Sequence, residues 1–215
     1  ASATERFAAL VGESKGLREL RVLITGGTLG IEFLRALGTK NLDLTNVTFI
    51  FGDERFVSLT AEDRNEAQGI HAWPALKNHL IRYPDIDSDL SEACEEFNSQ
   101  MEGLLGEIES EEPAFDLVIL GMGPDGHIAS LFPGSEHGSG WIVSESNSPK
   151  PPAERLSFSY QALNRGRQVW FLVSGEAKAE AVRCAISPDC SLPAGRVKGL
   201  EQTLWFVDRE LKLAL

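Results

Sequence analysis

The chain has 215 residues, 42% apolar and 24% charged, proportions of a folded globular protein that exclude a disordered or collagen-like chain and allow a substantial core. Lys and Arg total 20 against 32 Asp and Glu, a net charge of −12; such a surface repels nucleic acid and anionic membrane, so an enzyme for an anionic substrate needs a local cationic pocket. No apolar run reaches the roughly 18 residues of a membrane span, no basic-then-apolar leader is visible, and Cys94, Cys184 and Cys190 include no C-x-x-C pair, so a reducing cytoplasm is the expected setting.

Arg18 to Ile24 ends in the apolar run Val22-Leu23-Ile24. A turn Thr25-Gly26-Gly27-Thr28-Leu29-Gly30 follows, then Ile31, Phe33, Leu34 and Leu37 at helical spacing, which reads as strand, glycine-rich turn, helix. Val47 to Phe51 is a second strand, ended by Gly52-Asp53-Glu54-Arg55. Residues 65–81 read as a helix that Pro74 breaks near Trp73. Residues 89–108 carry Leu90, Ala93, Cys94, Phe97, Met101, Leu104, Leu105 and Ile108 at three-to-four spacing. That stripe packs a core, and Cys94 and Met101 on it are expected to be buried rather than reactive.

Phe115 to Leu120 lacks alternation, as in a strand covered on both faces. It runs into Gly121-Met122-Gly123-Pro124-Asp125-Gly126-His127. Pro149, Pro151 and Pro152 mark a stiff connector. Arg155–Tyr160, Val169–Val173 and Thr203–Val207 read as further strands, the last two followed by helical stretches. The alternation predicts an α/β fold with a mostly parallel sheet and helices on both faces. In such sheets ligands sit beyond the carboxyl ends of the strands. Loops 25–30, 52–55 and 121–127 are therefore expected to converge.

Each loop has a functional and a purely structural reading. Thr25-Gly26-Gly27-Thr28 either cradles an anion on backbone N–H groups at a helix N-terminus or merely links strand to helix. Gly121-x-Gly123-x-x-Gly126 matches the dinucleotide fingerprint, but Asp125 would face a pyrophosphate and the motif lies mid-chain, so NAD binding is rejected. A catalytic reading suits that loop better. Asp125 is placed to cap a following helix, and His127 at its start stays neutral and able to accept a proton. The alternative is a capping Asp beside a structural His.

Asp53 suits orienting a base or a sugar hydroxyl, and Arg55 suits phosphate, against a surface salt-bridge cluster as the alternative. Lys178, in Gly175-Glu176-Ala177-Lys178, sits on a first helical turn, where a bound phosphate offsets an unfavourable cation. His71, His79, His127 and His137 show no metal spacing, and neither a nucleophile elbow nor a Walker loop is present. Trp73, Trp141, Trp170 and Trp205 read as core or pocket wall.

Together, the three loops resemble the signature segments of the 6-phosphogluconolactonase family. So do Ser148-Pro149-Lys150-Pro151-Pro152-Ala153-Glu154-Arg155, Ala162-Leu163-Asn164, Gly175-Glu176-Ala177-Lys178-Ala179, Leu192-Pro193-Ala194 and Leu204-Trp205-Phe206-Val207-Asp208. The resemblance covers nearly the whole chain, and Gly121 to Gly134 is its most specific part. It implies a Rossmann-like α/β fold with a small accessory lobe, shared with glucosamine-6-phosphate deaminase. It also implies hydrolysis of 6-phospho-D-glucono-1,5-lactone to 6-phosphogluconate, in the oxidative pentose phosphate pathway, without metal or cofactor. The implied general base is His127, with Asp125, Asp53 and Arg55 lining the site. Gly26, Gly27, Thr28 and Lys178 are expected near the phosphate, with Arg155 as a helper.

The first loop departs from the family's S-G-G-S-T-P: Thr25 and Thr28 stand for serines, Leu29 for Thr and Gly30 for Pro. One hydroxyl is thereby lost. The chain starts at Ala1 rather than Met, and its segment ahead of that loop is short for the family. Residues 1–215 are thus expected to form one domain lacking part of its N-terminus.

The expected partner is a small phosphorylated sugar lactone, and the expected state a monomer or weak homo-oligomer. The deaminase alternative resembles G-H-I-A-F-N-E-P, whose Glu position is Phe132 here, so the carboxylate pairing with the His is absent. A non-catalytic sugar-phosphate sensor on the same scaffold is the other alternative.

Overall fold

The computed structural model describes residues 2–14, 18–135 and 138–211. His137 therefore lies outside the described residues. A five-stranded parallel sheet runs in the order β2-β1-β4-β7-β8. Its strands are β1 (Leu20–Ile24), β2 (Val47–Phe51), β4 (Phe115–Gly121), β7 (Gly166–Val173) and β8 (Gln202–Val207). The first six residues of β4 are buried, which accounts for its unbroken apolar run. The edge strand β8 is only half-buried.

Chain order reverses at β1, which pairs with β2 on one side and β4 on the other. A reversal of this kind opens a crevice at the carboxyl ends of the two central strands. There the Gly121 N–H donates to Thr25 Oγ1 at 3.1 Å, tying the loops after β1 and β4 together.

A second, antiparallel sheet in the order β3-β6-β5 forms the accessory lobe. It contains β3 (Asp53–Arg55), β5 (Ile142–Glu145) and β6 (Arg155–Phe158). Gly52 joins the two sheets, since its N–H donates to Ile24 O at 2.7 Å and its carbonyl accepts from Phe158 N at 2.9 Å. Arg155–Phe158 is thus a strand as expected, but of the small sheet. Asp53–Arg55, read as a loop, is a strand paired with it.

The helices are α1 (Ala3–Ser14), α2 (Gly27–Gly38), α3 (Asn65–Ala72), α4 (Leu90–Leu105), α5 (Tyr160–Leu163) and α6 (Ala179–Ala185). Helix α3 stops at Ala72, and Pro74 opens a separate 3₁₀ turn over Pro74–Asn78, since proline cannot supply the N–H a continuing helix needs. Asp89 caps α4 by accepting the Glu92 N–H at 3.0 Å. Met101 is fully buried, and Cys94 half-buried. Trp73, Trp141 and Trp170 belong to the core. Trp205 stacks on Phe171 on the edge strand with ring centroids 4.0 Å apart, and none of the four lines the cleft described below.

The cysteines depart from the reducing setting expected of them. Cys184 and Cys190 form a disulfide with Cα atoms 5.3 Å apart. The chain leaves α6 in two turns, Ser187 N to Cys184 O and Cys190 N to Ser187 O, and these fold the second cysteine back on the first.

Candidate active site

A cleft of about 370 Å³ opens at the reversal between β1 and β4. Its walls come from all three glycine-bearing loops and from the small sheet. Thr25 to Gly30, Asp53, Arg55, Gly121 to Pro124 and His127 line it, as do Arg155 and Lys178. Residues up to about 150 positions apart are brought together because their strands end on one edge of the sheet.

The loop after β4 does not begin a helix. Gly126 takes φ +83° and Ala129 φ +48°, and a left-handed non-glycine residue is incompatible with a right-handed helical run. The chain closes tight turns instead, with Gly126 N to Gly123 O at 3.0 Å and Gly123 N to His127 O at 2.9 Å. Asp125 therefore caps no helix. Its Oδ1 accepts the His127 backbone N–H at 3.3 Å and lies 2.6 Å from His127 Nδ1.

That contact fixes the tautomer, because a carboxylate oxygen can only accept: Nδ1 carries the proton and Nε2 is the remaining basic nitrogen. Burial raises the Asp125 carboxyl, but the hydrogen bond and charge of His127 outweigh it and leave the pKa below the usual aspartate value. The imidazole is thus held by a carboxylate rather than by a helix end. Asp125 itself is not a wall residue and reaches the cleft only through His127.

Gly123 makes this packing possible. A Cβ there would fall 2.1 Å from His127 Cε1, 2.2 Å from Nδ1 and 2.6 Å from Asp125 Oδ1. On its other side the imidazole meets Phe132, ring centroids 4.9 Å apart.

Asp53, 9% exposed, accepts the Ser130 hydroxyl on Oδ2 at 2.6 Å. Arg55 donates to the Asp63 carbonyl, while its Nε is buried with no hydrogen-bond partner among the described residues. Arg155 is held by Pro152 O at 2.8 Å and Lys150 O at 3.0 Å. Burial lowers its pKa, an effect that Asp53 opposes.

Lys178 ends a 3₁₀ turn, Glu176–Lys178, and caps α6 rather than sitting within its first turn. Burial, and then the charge of Lys150, lower its pKa. The cleft thus concentrates Arg55, Lys150, Arg155 and Lys178 in a chain of net charge −12, the local cationic pocket that an anionic substrate requires. Gly26, Gly27 and Thr28 face the same space at the start of α2, where Gly26 offers no side-chain cap.

Behind the cleft lies a buried ionic network. Glu54 accepts the backbone N–H groups of Arg55 at 2.8 Å, Asn65 at 2.7 Å and Glu66 at 2.9 Å. Its carboxylate takes the place of a side-chain cap for α3. Arg64, 0% exposed, joins Glu66 at 3.2 Å and donates to the carbonyls of Val57, Tyr83 and Pro84.

Sequence reasoning assigned no role to Asn65, Ser130 or Lys150, which all line the cleft. Lys150 lies in the proline-rich connector, where its signal was a cation flanked by prolines. Asn65 stands in no pattern that spacing could have picked out, and Ser130 lies inside the Gly121–Gly134 segment with no role assigned to it.

Residues 1–205 match the family described as glucosamine-6-phosphate isomerases/6-phosphogluconolactonase. A 6-phosphogluconolactonase of Mycobacterium leprae is 37% identical over 227 residues, covering 97% of this chain and 91% of the relative. The crystal structure of 6-phosphogluconolactonase from Thermotoga maritima is similar with a TM-score of 0.82 at 26% identity, covering 95% of this chain and 92% of that one. The 6-phosphogluconolactonase from Trypanosoma cruzi superposes with a TM-score of 0.84 at 22% identity, over 99% and 92% of the two chains, a likeness of fold.

Proposed function

The chain belongs to the glucosamine-6-phosphate isomerase/6-phosphogluconolactonase family, and from that premise we propose how its residues hydrolyse 6-phospho-D-glucono-1,5-lactone to 6-phosphogluconate, in the oxidative pentose phosphate pathway. A lactone is already an activated ester, so positioning and proton transfer suffice without a covalent nucleophile. His127 Nε2 takes a proton from water, and the hydroxide oxygen bonds to C1. The bond from C1 to the ring oxygen then breaks, and the imidazolium returns its proton to that oxygen. Asp125 keeps Nδ1 protonated throughout and stabilises the imidazolium as it forms. Arg55, whose Nε has no hydrogen-bond partner among the described residues, stabilises the oxyanion on C1.

Lys178 anchors the phosphate, with Arg155 as a helper and the Gly26-Gly27-Thr28 turn supplying N–H donors. Asp53, fixed by Ser130, orients a sugar hydroxyl. The working form is a cytoplasmic monomer or weak homo-oligomer, and its partner a small phosphorylated sugar lactone.

One observation carries this reading: the carboxylate-bound imidazole of His127 and the Lys178 cation border a single cleft. Phe132 beside His127 supplies no carboxylate for a deaminase-type proton relay. Proton release from the phosphorylated lactone, corrected for spontaneous opening, tests the reading. Turnover supports it. Ammonia release from glucosamine 6-phosphate, or tight 6-phosphogluconate binding without turnover, overturns it.

A further inference from the structure

Asn65 opens α3 and is 2% exposed. Its Nδ2 donates to the Asp53 carbonyl at 2.8 Å and reaches Asp53 Oδ1 at 3.4 Å. Two acceptors on one side settle which way the amide faces. The carbonyl Oδ1 therefore points away from Asp53, and it is buried with no hydrogen-bond partner among the described residues. Native structures rarely leave such an atom unpaired without a reason.

On that side stands Gly26. A Cβ at position 26 would fall 2.1 Å from Asn65 Oδ1 and 2.4 Å from Cγ. The glycine turn thus rests directly on the Asn65 amide, closer than any other residue type would allow. Asn65 in turn is locked from behind, since the Glu54 carboxylate holds its backbone N–H at 2.7 Å. One side chain therefore spans two walls of the cleft, the turn that begins α2 and the carboxylate that ends the β2–β3 crossover.

We propose that Asn65 is a positioning residue that sets the distance between the Gly26 turn and Asp53, so that the phosphate end and the hydroxyl-bearing ring of one substrate fit the cleft together. This deepens the functional reading above and rests on it. Removing the amide leaves His127 and Asp125 in place but frees the turn, so binding of the phosphate suffers while chemistry does not.

The test combines steady-state kinetics on the phosphorylated lactone with calorimetry of inorganic phosphate, on the intact chain. Asn65→Ala is expected to raise KM and the phosphate Kd in parallel, each by roughly ten-fold, the scale of one lost hydrogen-bonded contact, with kcat within about two-fold. Asn65→Ser serves if the alanine variant fails to fold, and the same shift is expected. Gly26→Ala should weaken phosphate too, and adding Asn65→Ala should restore part of that loss, because the shorter side chain makes room for the new methyl. Unchanged KM and Kd, a fall in kcat alone, or strictly additive losses in the double variant would overturn the proposal. A wild type that binds phosphate without opening the lactone would sink the functional reading, while the calorimetric cycle would still judge Asn65.

Discussion

His127 Nδ1 lies 2.6 Å from Asp125 Oδ1, two residues apart on a turn that no helix follows. The pair is therefore held by local backbone, and Asp125 acts on the reaction only through the ring. Asp125→Asn offers an amide where the ring needs an acceptor and favours the tautomer with Nε2 protonated, which cannot take a proton from water. We expect kcat to fall by roughly 10- to 100-fold with KM little changed. The Asp125 carboxyl titrates below the usual aspartate value. Its proton is gained only at lower pH than usual, so the wild type keeps this contact well into mild acid. Stopped-flow rates against pH for both proteins check the point.

Gly123→Ala inserts a methyl 2.1 Å from His127 Cε1 and 2.6 Å from Asp125 Oδ1. The ring must swing off the carboxylate. Turnover should drop by roughly 10²-fold, comparable to losing general-base catalysis, while circular dichroism and melting temperature stay near wild type. Normal turnover would mean that the His127–Asp125 contact is dispensable.

Lys178 should govern KM through its charge. Its pKa is lowered by burial and by Lys150, so in the free protein it loses its proton at a lower pH than an ordinary lysine. A bound phosphate favours the charged form and reverses that shift. Affinity for 6-phosphogluconate should therefore weaken as pH rises, starting below the ordinary lysine range, and protons should be taken up on binding. Lys178→Ala should abolish that alkaline limb and raise Kd by roughly ten-fold or more. Calorimetry in buffers of different ionisation heat measures both quantities.

Arg64 matters for stability rather than chemistry. It is fully buried between Glu54 and Glu66. Arg64→Met removes the cation facing buried Glu54 and leaves Glu66 with Arg82 alone, at 3.1 Å, and breaking a buried pair in this way costs about 3–5 kcal/mol. Urea unfolding should show that loss. The variant that still folds should keep a normal kcat, because Arg64 touches no cleft residue through its guanidinium except by way of α3.

The parallel sheet was legible because its central strands are buried on both faces and read as apolar runs, unbroken in Phe115 to Leu120. The α3 break was legible because Pro74 has no N–H to give. Convergence of the three loops followed from the rule that ligands gather at the strand ends.

Other features were hidden for physical reasons. Asp53–Arg55 carries three charges in a row, and only its pairing with Arg155–Ser157 makes it a strand. The turn at 126–129 looked like a helix start because Asp-Gly-His mimics a capped terminus, yet the φ values of Gly126 and Ala129 exclude one. The Cys184–Cys190 bridge depends on two consecutive turns after α6, which spacing alone does not reveal. Asn65 is set in place by Glu54, eleven residues earlier, and no local pattern encodes such a contact.

Whether His127 is the base is decided by hydrolysis of 6-phosphogluconolactone by His127→Ala, measured beside the wild type and corrected for spontaneous opening. Loss of the base should lower kcat/KM by roughly 10²-fold or more, with 6-phosphogluconate still binding. Turnover equal to the wild type would rule out His127 as the base and move the proton transfer to another group.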